Sequence, residues 1–372
     1  MSAKNTQSKN IEVLSNQKFS GRFNWSPQVN QKIIKLLTEI DSHKASFRVQ
    51  SNLSPQLINR LTRSVLITSS GASTRIEGSL MGDKEVKELF SKLKIQKFKS
   101  RDEQEVAGYL ELLKTVFESW ESIRLSESTI KHFHSLLLKY SDKDVRHKGT
   151  YKFGSNRVEA RDPDGNLLGI IFDPTPPHLV PIEMQDLVEY TNSELTAGDY
   201  HPLLIIANFI FEYLAIHPFQ DGNGRSSRVL TNYLLLSTRY TFTPYISHER
   251  IIEKNKEEYY SVLNQSQRTW KTDNEDISSW ILFFLEVVKI QANEAVTLLE
   301  NKEDMELILS ATQLKVWNMI SQSSESLSRS QIHQETQIPI PTIKQALDKL
   351  YKMDKIKRLG QGSGTRYVLV KQ

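Results

Sequence analysis

The chain has no cysteine in its 372 residues, which excludes disulfides, thiolate metal sites and cysteine nucleophiles and fits a reducing compartment. It also lacks a long apolar run. The most apolar stretch, Leu203 to Ile216, is too short to span a bilayer and is broken by Asn208 and Glu212, so it reads as a buried core helix. Charge of one sign is missing too: 48 Lys and Arg against 44 Asp and Glu leave a net +4, too weak a bias for nucleic-acid binding by the whole chain. Any basic partner surface must be local. The opening "MSAKNTQSKNIEVLSNQKFS" has no apolar signal-peptide core, so residues 1–20 are expected to form a flexible tail and the protein to be cytoplasmic.

What is present describes an ordinary globular protein, 38% hydrophobic and 25% charged, long enough for two or three structural units. From Ser26 to Leu138 apolar residues recur at three- and four-residue steps, as in "VNQKIIKLLTEI" and "QEVAGYLELLKTVFESW", which predicts helices. Ser54-Pro55 reads as an N-cap and first helical residue. The helix it opens is expected to reach Ser69 or slightly beyond. "ASTRIE", between Gly71 and Gly78, is then a helix end or a tight connector.

Between Lys148 and Pro181 the pattern turns to β. Arg157 to Phe172 reads as a hairpin around the Asp164-Gly165 turn signal, followed by the extended "DPTPPHLVP". Asp162, Asp164 and Asn166 do not make a calcium loop, because Leu167 takes the required glycine position and the closing glutamate is absent. Helices resume with "IEMQDLVEYTNSEL", the apolar Leu203–Ile216 segment, "SSRVLTNYLLLSTRY", "EKNKEEYYSVLNQSQRTW" and "EDISSWILFFLEVVKIQANEAVTLLE". From about Leu309 three short helical patterns precede "KIKRLGQGSGTRYVLV", read as strand, glycine-rich turn, strand. This order predicts a winged helix-turn-helix, with Thr342 to Lys352 as recognition helix and Gln361 to Thr365 as wing tip.

Chemistry concentrates in "HPFQDGNGRSSR", His217 to Arg228. His217 ends an apolar helix, where an imidazole of near-neutral pKa can serve as general base. The Asp221-Gly222-Asn223-Gly224 turn leads into a helix expected to begin near Arg225, presenting unpaired N–H groups and a positive dipole end to an anion. Arg225 and Arg228, three apart, lie on one helix face and can fork onto phosphate oxygens. Asp221 offers a hard oxygen ligand suited to Mg²⁺. The set points to phosphoryl chemistry, and the loop by itself suits more than one diphosphate donor.

The stretch matches at every defined position the signature HPFx(D/E)GN(G/K)RxxR, so the chain resembles the Fic, or Fido, family from about Leu125 through Leu285, "GTYKFGSNRV" and "EKNKEEYYSVL" included. The resemblance implies a mainly α fold, a Fic-type helical bundle with a β-hairpin flap, and transfer of AMP from ATP to a Ser, Thr or Tyr hydroxyl of a protein, this protein itself included. It implies His217 as the base and Asp221 as the Mg²⁺ ligand. Gly222, Asn223 and Gly224 would cradle the phosphates, Arg225 would bind the β-phosphate side and Arg228 the γ-phosphate. Ser226 and Ser227 belong to the same nucleotide-binding stretch, and Phe219 is a core anchor. The hairpin around Val158 resembles the flap that covers the nucleotide and docks the target's extended segment by strand pairing. Tyr259 matches a position near the adenine, and Gln267 stands where relatives often carry Asn.

Ser73-Thr-Arg-Ile-Glu77-Gly78 fits a second, shorter family pattern, (S/T)xxxE(G/N), the inhibitory motif of self-restrained members. A carboxylate at Glu77 paired with Arg228 would remove the cation meant for the γ-phosphate. In some relatives the same glutamate supports removal of AMP, so a bifunctional enzyme is an alternative. The organisation expected is a tail over 1–20, an N-terminal helical region over 21–124 with the inhibitory segment 73–78, a Fic core over 125–300 and a winged helix over 308–372. From Pro341 onward eight basic residues face two acidic ones, a local net of +6. That surface could follow DNA, with Lys344 and Gln345 toward base edges, or the unit could dock on the core or form a homodimer. A nucleotide-sensing DNA-binding regulator is accordingly the competing function. Lys92 to Arg101 reads as a solvated connector.

Overall fold

The computed structural model describes residues 19, 21–50, 53, 55–92, 98, 100–161, 167–300, 309–323, 325–360 and 362–370. The described helices are α1 (Pro27–Gln50), α2 (Pro55–Ile76), α3 (Asp83–Lys92), α4 (Arg101–Ser119), α5 (Glu127–Leu137), α6 (Val180–Ala197), α7 (Pro202–Ile216), α8 (Asn223–Ser237), α9 (His248–Lys254), α10 (Lys256–Gln267), α11 (Ser278–Glu300), α12 (Ala311–Gln322), α13 (Arg329–Thr336) and α14 (Ile340–Lys352). The strands are β1 (Val158–Arg161), β2 (Leu167–Phe172), β3 (Leu327–Ser328), β4 (Ile356–Leu359) and β5 (Arg366–Leu369). The fold is mainly α, and the chain divides into two compact units, one of residues 1–49 with 63–296 and one of residues 50–62 with 297–372.

In the first unit the centre is α7, opened by Pro202 at its first turn and buried at every residue from Leu203 to Ile216. Each buried Leu, Ile or Phe contributes about 1.5–3 kcal/mol of transfer free energy. Asn208 and Glu212, the two polar breaks in this run, are each met inside through one oxygen, while Asn208 Nδ2 and Glu212 Oε1 have no hydrogen-bond partner among the described residues. Arg22, itself buried, donates to Asn208 Oδ1 at 2.9 Å and Glu212 Oε2 at 2.7 Å. Trp270 Nε1 adds a second bond to Glu212 at 2.9 Å. Helices α6 and α8 pack on either side of α7, and α8 is buried from Arg225 to Leu236. Among the described residues no helix is long and apolar enough to cross a membrane.

Several elements differ from the sequence reading. The tail expected over 1–20 lies outside the described residues except Phe19, which is fully buried with its ring 4.8 Å from that of Tyr190. Helix α2 runs on to Ile76, so most of "ASTRIE" is its last turn. Small residues there, Ser69, Ser70, Ala72 and Ser73, are all buried, so the helix end packs close to its neighbours. Ser54, read as its N-cap, lies outside the described residues. "EKNKEEYYSVL" is divided at Asn255 into α9 and α10. The hairpin is antiparallel, Val158 opposite Phe172 and Arg161 opposite Leu167, and its Asp164-Gly165 turn lies outside the described residues.

The second unit contains α12, α13 and α14 with a three-stranded antiparallel sheet in the order β3-β5-β4. The apolar stripe of α14, Ile343, Ala346, Leu347 and Leu350, packs with Val316, Ile320, Ile332, Ile356 and Tyr367. Capping boxes at Ser310/Gln313 and Ser328/Gln331 start α12 and α13. Strand β3 was not foreseen, because at two residues it is too short to show alternation.

Candidate active site

His217 follows the last residue of α7 in a left-handed conformation, φ 52°. A non-glycine residue held there costs about 1–3 kcal/mol and persists only where its surroundings impose it. The surroundings do so. Phe219 is fully buried and stacks on His134 with rings 3.7 Å apart and 3° from parallel. Phe219 N donates to Asn223 Oδ1 at 2.9 Å and Asn223 Nδ2 returns a bond to Phe219 O at 2.7 Å.

Asn223 is the first residue of α8, two positions earlier than expected, and its buried side chain bonds the backbone of Phe219. Ser226 Oγ donates to Gly222 O at 2.7 Å and accepts from Tyr213, while Ser227 Oγ donates to Gly224 O at 2.7 Å. Both hydroxyls therefore bond back onto carbonyls of the first turn of α8. What the turn leaves open to an anion is the backbone at the α8 N-terminus.

His217 is half-buried, and Nδ1–H donating to Leu214 O at 3.2 Å leaves the lone pair on Nε2. Burial, aided by the Lys152 cation, lowers its pKa to about 4 against the Leu214 carbonyl bond and the weaker pull of Glu77 and Asp221. The near-neutral value expected from the sequence is thus corrected downward. The imidazole is neutral at physiological pH, in the protonation state a base requires.

Asp221 accepts at Oδ1 from Gly222 N at 2.6 Å and from Arg225 Nη2 at 3.3 Å, and at Oδ2 from Arg101 Nη2 at 3.1 Å. Burial pushes its pKa up, but Arg225, the Gly222 N–H and Arg101 together hold it below the ordinary value. Among the described residues there is no cluster of three or more His, Asp or Glu able to hold a metal. One carboxylate fits Mg²⁺ where phosphate oxygens and water supply the other ligands. Arg101 is the group such an ion would displace.

Arg225 and Arg228 diverge despite sharing a helix face. The buried Arg225 has Nη1 3.1 Å from Glu105 Oε2, yet its Nε and Nη1 lack a hydrogen-bond partner. Unused donors on a buried cation fit a missing anion. The buried Arg228 donates through Nε to Ser73 Oγ at 2.8 Å, and through Nη2 to Ser73 O at 3.0 Å and Glu77 Oε1 at 2.7 Å.

The last turn of α2 explains how Glu77 arrives there. Ser79 N bonds Thr74 O and Gly78 N bonds Arg75 O, a Schellman ending with Gly78 in the left-handed position, φ 103°. Glu77 is then the C-cap, projecting off the helix end. Arg75, paired with Asp83 at 3.0 Å and Glu253 at 2.6 Å, anchors that turn. The carboxylate reaches the start of α8: a Cβ on Gly224 would lie 2.2 Å from Glu77 Oε1. Glu77 thus occupies the dipole end of α8 as a bound anion would. Burial pushes its pKa up, and the Arg228 guanidinium more than offsets this, leaving it below the usual glutamate range.

Two other expected site residues stand differently. Tyr259 is buried in an aromatic cluster, with Tyr260, Trp280 and Phe283 rings 5.1, 5.8 and 5.9 Å away, and lines a small cavity with Ser227 and Arg228. Val158 starts β1, and its side chain lies outside the described residues. Sequence reasoning missed His134, Lys152, Asn156, Arg101 and Glu105. His134 is wholly buried: its Nδ1 accepts from Gly149 N at 2.9 Å, so Nε2–H donates to Asp221 O at 2.9 Å. Both bonds need the neutral ring, and burial lowers its pKa to about 4.

Residues 124–235 match the Fic/DOC family. Over 107 residues the chain is 33% identical to a probable protein adenylyltransferase of Aquifex aeolicus, covering 29% of this chain and 30% of that protein. Over 249 residues it is 26% identical to the protein adenylyltransferase Fic of Nematostella vectensis, covering 64% of this chain and 52% of that one. The chain thus spans about half or less of these relatives. Among solved structures, a Fic family protein from Desulfovibrio desulfuricans superposes with a TM-score of 0.60 at 21% identity, over 94% of this chain and 98% of that one. Fic-1 from C. elegans gives 0.58 at 19%, over 74% and 75%. At these identities the likeness is one of fold.

Proposed function

From the Fic/DOC family domain that the chain carries at residues 124–235, we propose that this protein transfers AMP from ATP to a hydroxyl side chain of a protein, itself included, and that Glu77 restrains the transfer. The observation that carries the reading is the Glu77 carboxylate lying on Arg228 and against the Gly224 backbone. An acidic group seated among cations at a helix N-terminus stands in for a phosphate. Glu77 and the terminal phosphate of ATP then compete for Arg228.

In the reaction, His217 Nε2 takes the proton of the target hydroxyl. The hydroxyl oxygen attacks the α-phosphorus, the bond to the α,β-bridging oxygen breaks, and pyrophosphate leaves. The backbone N–H groups of Asn223 and Gly224 and the unused donors of Arg225 receive the phosphate charge. Asp221 would hold Mg²⁺, which neutralises phosphate charge when bound. The β1–β2 hairpin would pair with the target's backbone as an added strand.

Incubation with labelled ATP tests this. Transfer of label by Glu77→Gly, with none by the Glu77→Gly/His217→Ala double variant, is the expected outcome. Nucleotide binding without covalent AMP in the single variant would sink the enzyme reading in favour of a sensor.

For the second unit we propose a winged helix. Of its basic residues Arg358 pairs with Asp348, Arg366 is spent on Ser326 and Gln331, and Lys349 bonds Gln313 at 3.3 Å. Lys344, Gln345, Lys352 and Lys357 are exposed. These bonds leave the local net of +6 in place, and the exposed residues are the ones that could meet a nucleic-acid backbone.

A further inference from the structure

Four consecutive backbone carbonyls at the end of α7 are caught by two side chains and one N–H from the segment before the hairpin. Lys152 Nζ donates to Ile216 O at 3.2 Å, and Lys152 N to Pro218 O at 2.8 Å. Asn156 Nδ2 donates to His217 O at 3.0 Å and to Phe219 O at 2.7 Å. Lys152 Nζ also donates to Asn156 Oδ1 at 2.7 Å, joining the two catches into one brace.

A brace is needed here for a stated reason. The position after a helix's C-terminal residue normally takes glycine, because a side chain there is strained. His217 stands there at φ 52°. The last carbonyls of α7 are also unpaired within the helix and carry its negative dipole end, where a cation is favoured. Lys152 is almost wholly buried there, and burial lowers its pKa to about 8. A buried amine aimed at a helix end holds backbone rather than gathering solvent.

We propose that Lys152 and Asn156 are positioning residues that hold His217 in its left-handed conformation, so that Nε2 is set for proton transfer. The proposal rests on His217 being the base. It separates two halves of the site: Lys152 and Asn156 grip residues 216–219, while the anion-binding backbone and arginines begin at Asn223. Loss of the brace therefore lowers the rate at saturating ATP and leaves ATP affinity alone.

The test uses the full chain in a Glu77→Gly background. Asn156→Asp keeps the shape and replaces the amide donor by an acceptor, and Lys152→Met keeps the buried stem without the donor. The expected result is a fall of about tenfold to a hundredfold in transfer at saturating ATP, with ATP affinity within about twofold and partial rescue by Lys152→Arg. Amide hydrogen exchange across residues 217–222 should accelerate in both variants. Parent-like rate and exchange in both would overturn the proposal, as would an equal loss in ATP affinity and rate. If the Glu77→Gly parent transfers no AMP, the functional reading fails, and the exchange measurement alone decides the brace.

Discussion

Glu77 Oε1 lies 2.7 Å from Arg228 Nη2, joining the C-cap of α2 to the first turns of α8 across 151 residues of sequence. Arg228 is buried and keeps Ser73 as a second partner, whereas the Glu77 side chain is 35% exposed. The exposed partner is the one with room to move away, so the pair opens on the glutamate side, and a phosphate must then take Glu77's place on the buried Arg228. Exposure also limits the strength of the pair.

Replacing Glu77 by Gly should raise AMP transfer by roughly tenfold to a thousandfold, the range a modest misalignment of reacting groups costs. Radiolabel incorporation into the protein and into extract proteins measures it. Glu77→Gln, which keeps the size but not the charge, should give an intermediate rise.

Acidity should act late. With His217 at about 4, the rate of the Glu77→Gly protein is expected to stay level as pH falls from 7 to about 5 and to halve near 4, not near the ordinary histidine value of about 6.5. Stability responds earlier. His134 and His217 both have lowered values in the fold, so between about 6.5 and 4 the unfolded chain binds more protons. Thermal unfolding should show a Tm that falls as pH drops through that window, and His134→Gln should flatten the fall.

Arg101→Ala should ease the Mg²⁺ requirement. Arg101 takes Asp221 Oδ2, yet is 52% exposed, so the ion pair is weak and its loss frees a metal ligand. A Mg²⁺ titration of transfer in the Glu77→Gly background is expected to show half-saturation at a concentration about twofold to fivefold lower.

Arg22→Met should destabilise the first unit. It leaves Glu212 buried with Trp270 as its remaining partner, a change that typically costs about 3–5 kcal/mol. The Tm should drop by several degrees. The double variant Arg22→Met/Glu212→Gln should recover part of it, because the uncompensated charge is gone.

How much was legible follows from where each partner lies along the chain. The loop from His217 to Arg228 could be read directly, because base, turn and cations fall within twelve residues and their order suffices. Glu77 was legible only through a short pattern. Its physical content, a helix C-cap with glycine next, is local, but nothing local says which cation it meets. His134, Lys152 and Asn156 escaped because they grip backbone carbonyls, which carry no residue identity, at separations of 87, 64 and 61 residues. The bonds of Asn223 to Phe219 escaped for a different reason: the side chain can serve a phosphate or its own loop, and the order of residues favours neither.

Periodicity and composition by themselves determined a cysteine-free, mainly helical chain with one apolar helix at its centre and one loop rich in phosphoryl chemistry. These are properties of neighbours in sequence. The tertiary structure decided which side of each helix meets which loop. It placed His217 in a strained conformation with a lowered pKa, occupied Asp221 with Arg101, and brought Glu77 to the open end of α8. Such pairings follow from burial and from unpaired donors and acceptors across distant segments, and a linear reading contains no term for either.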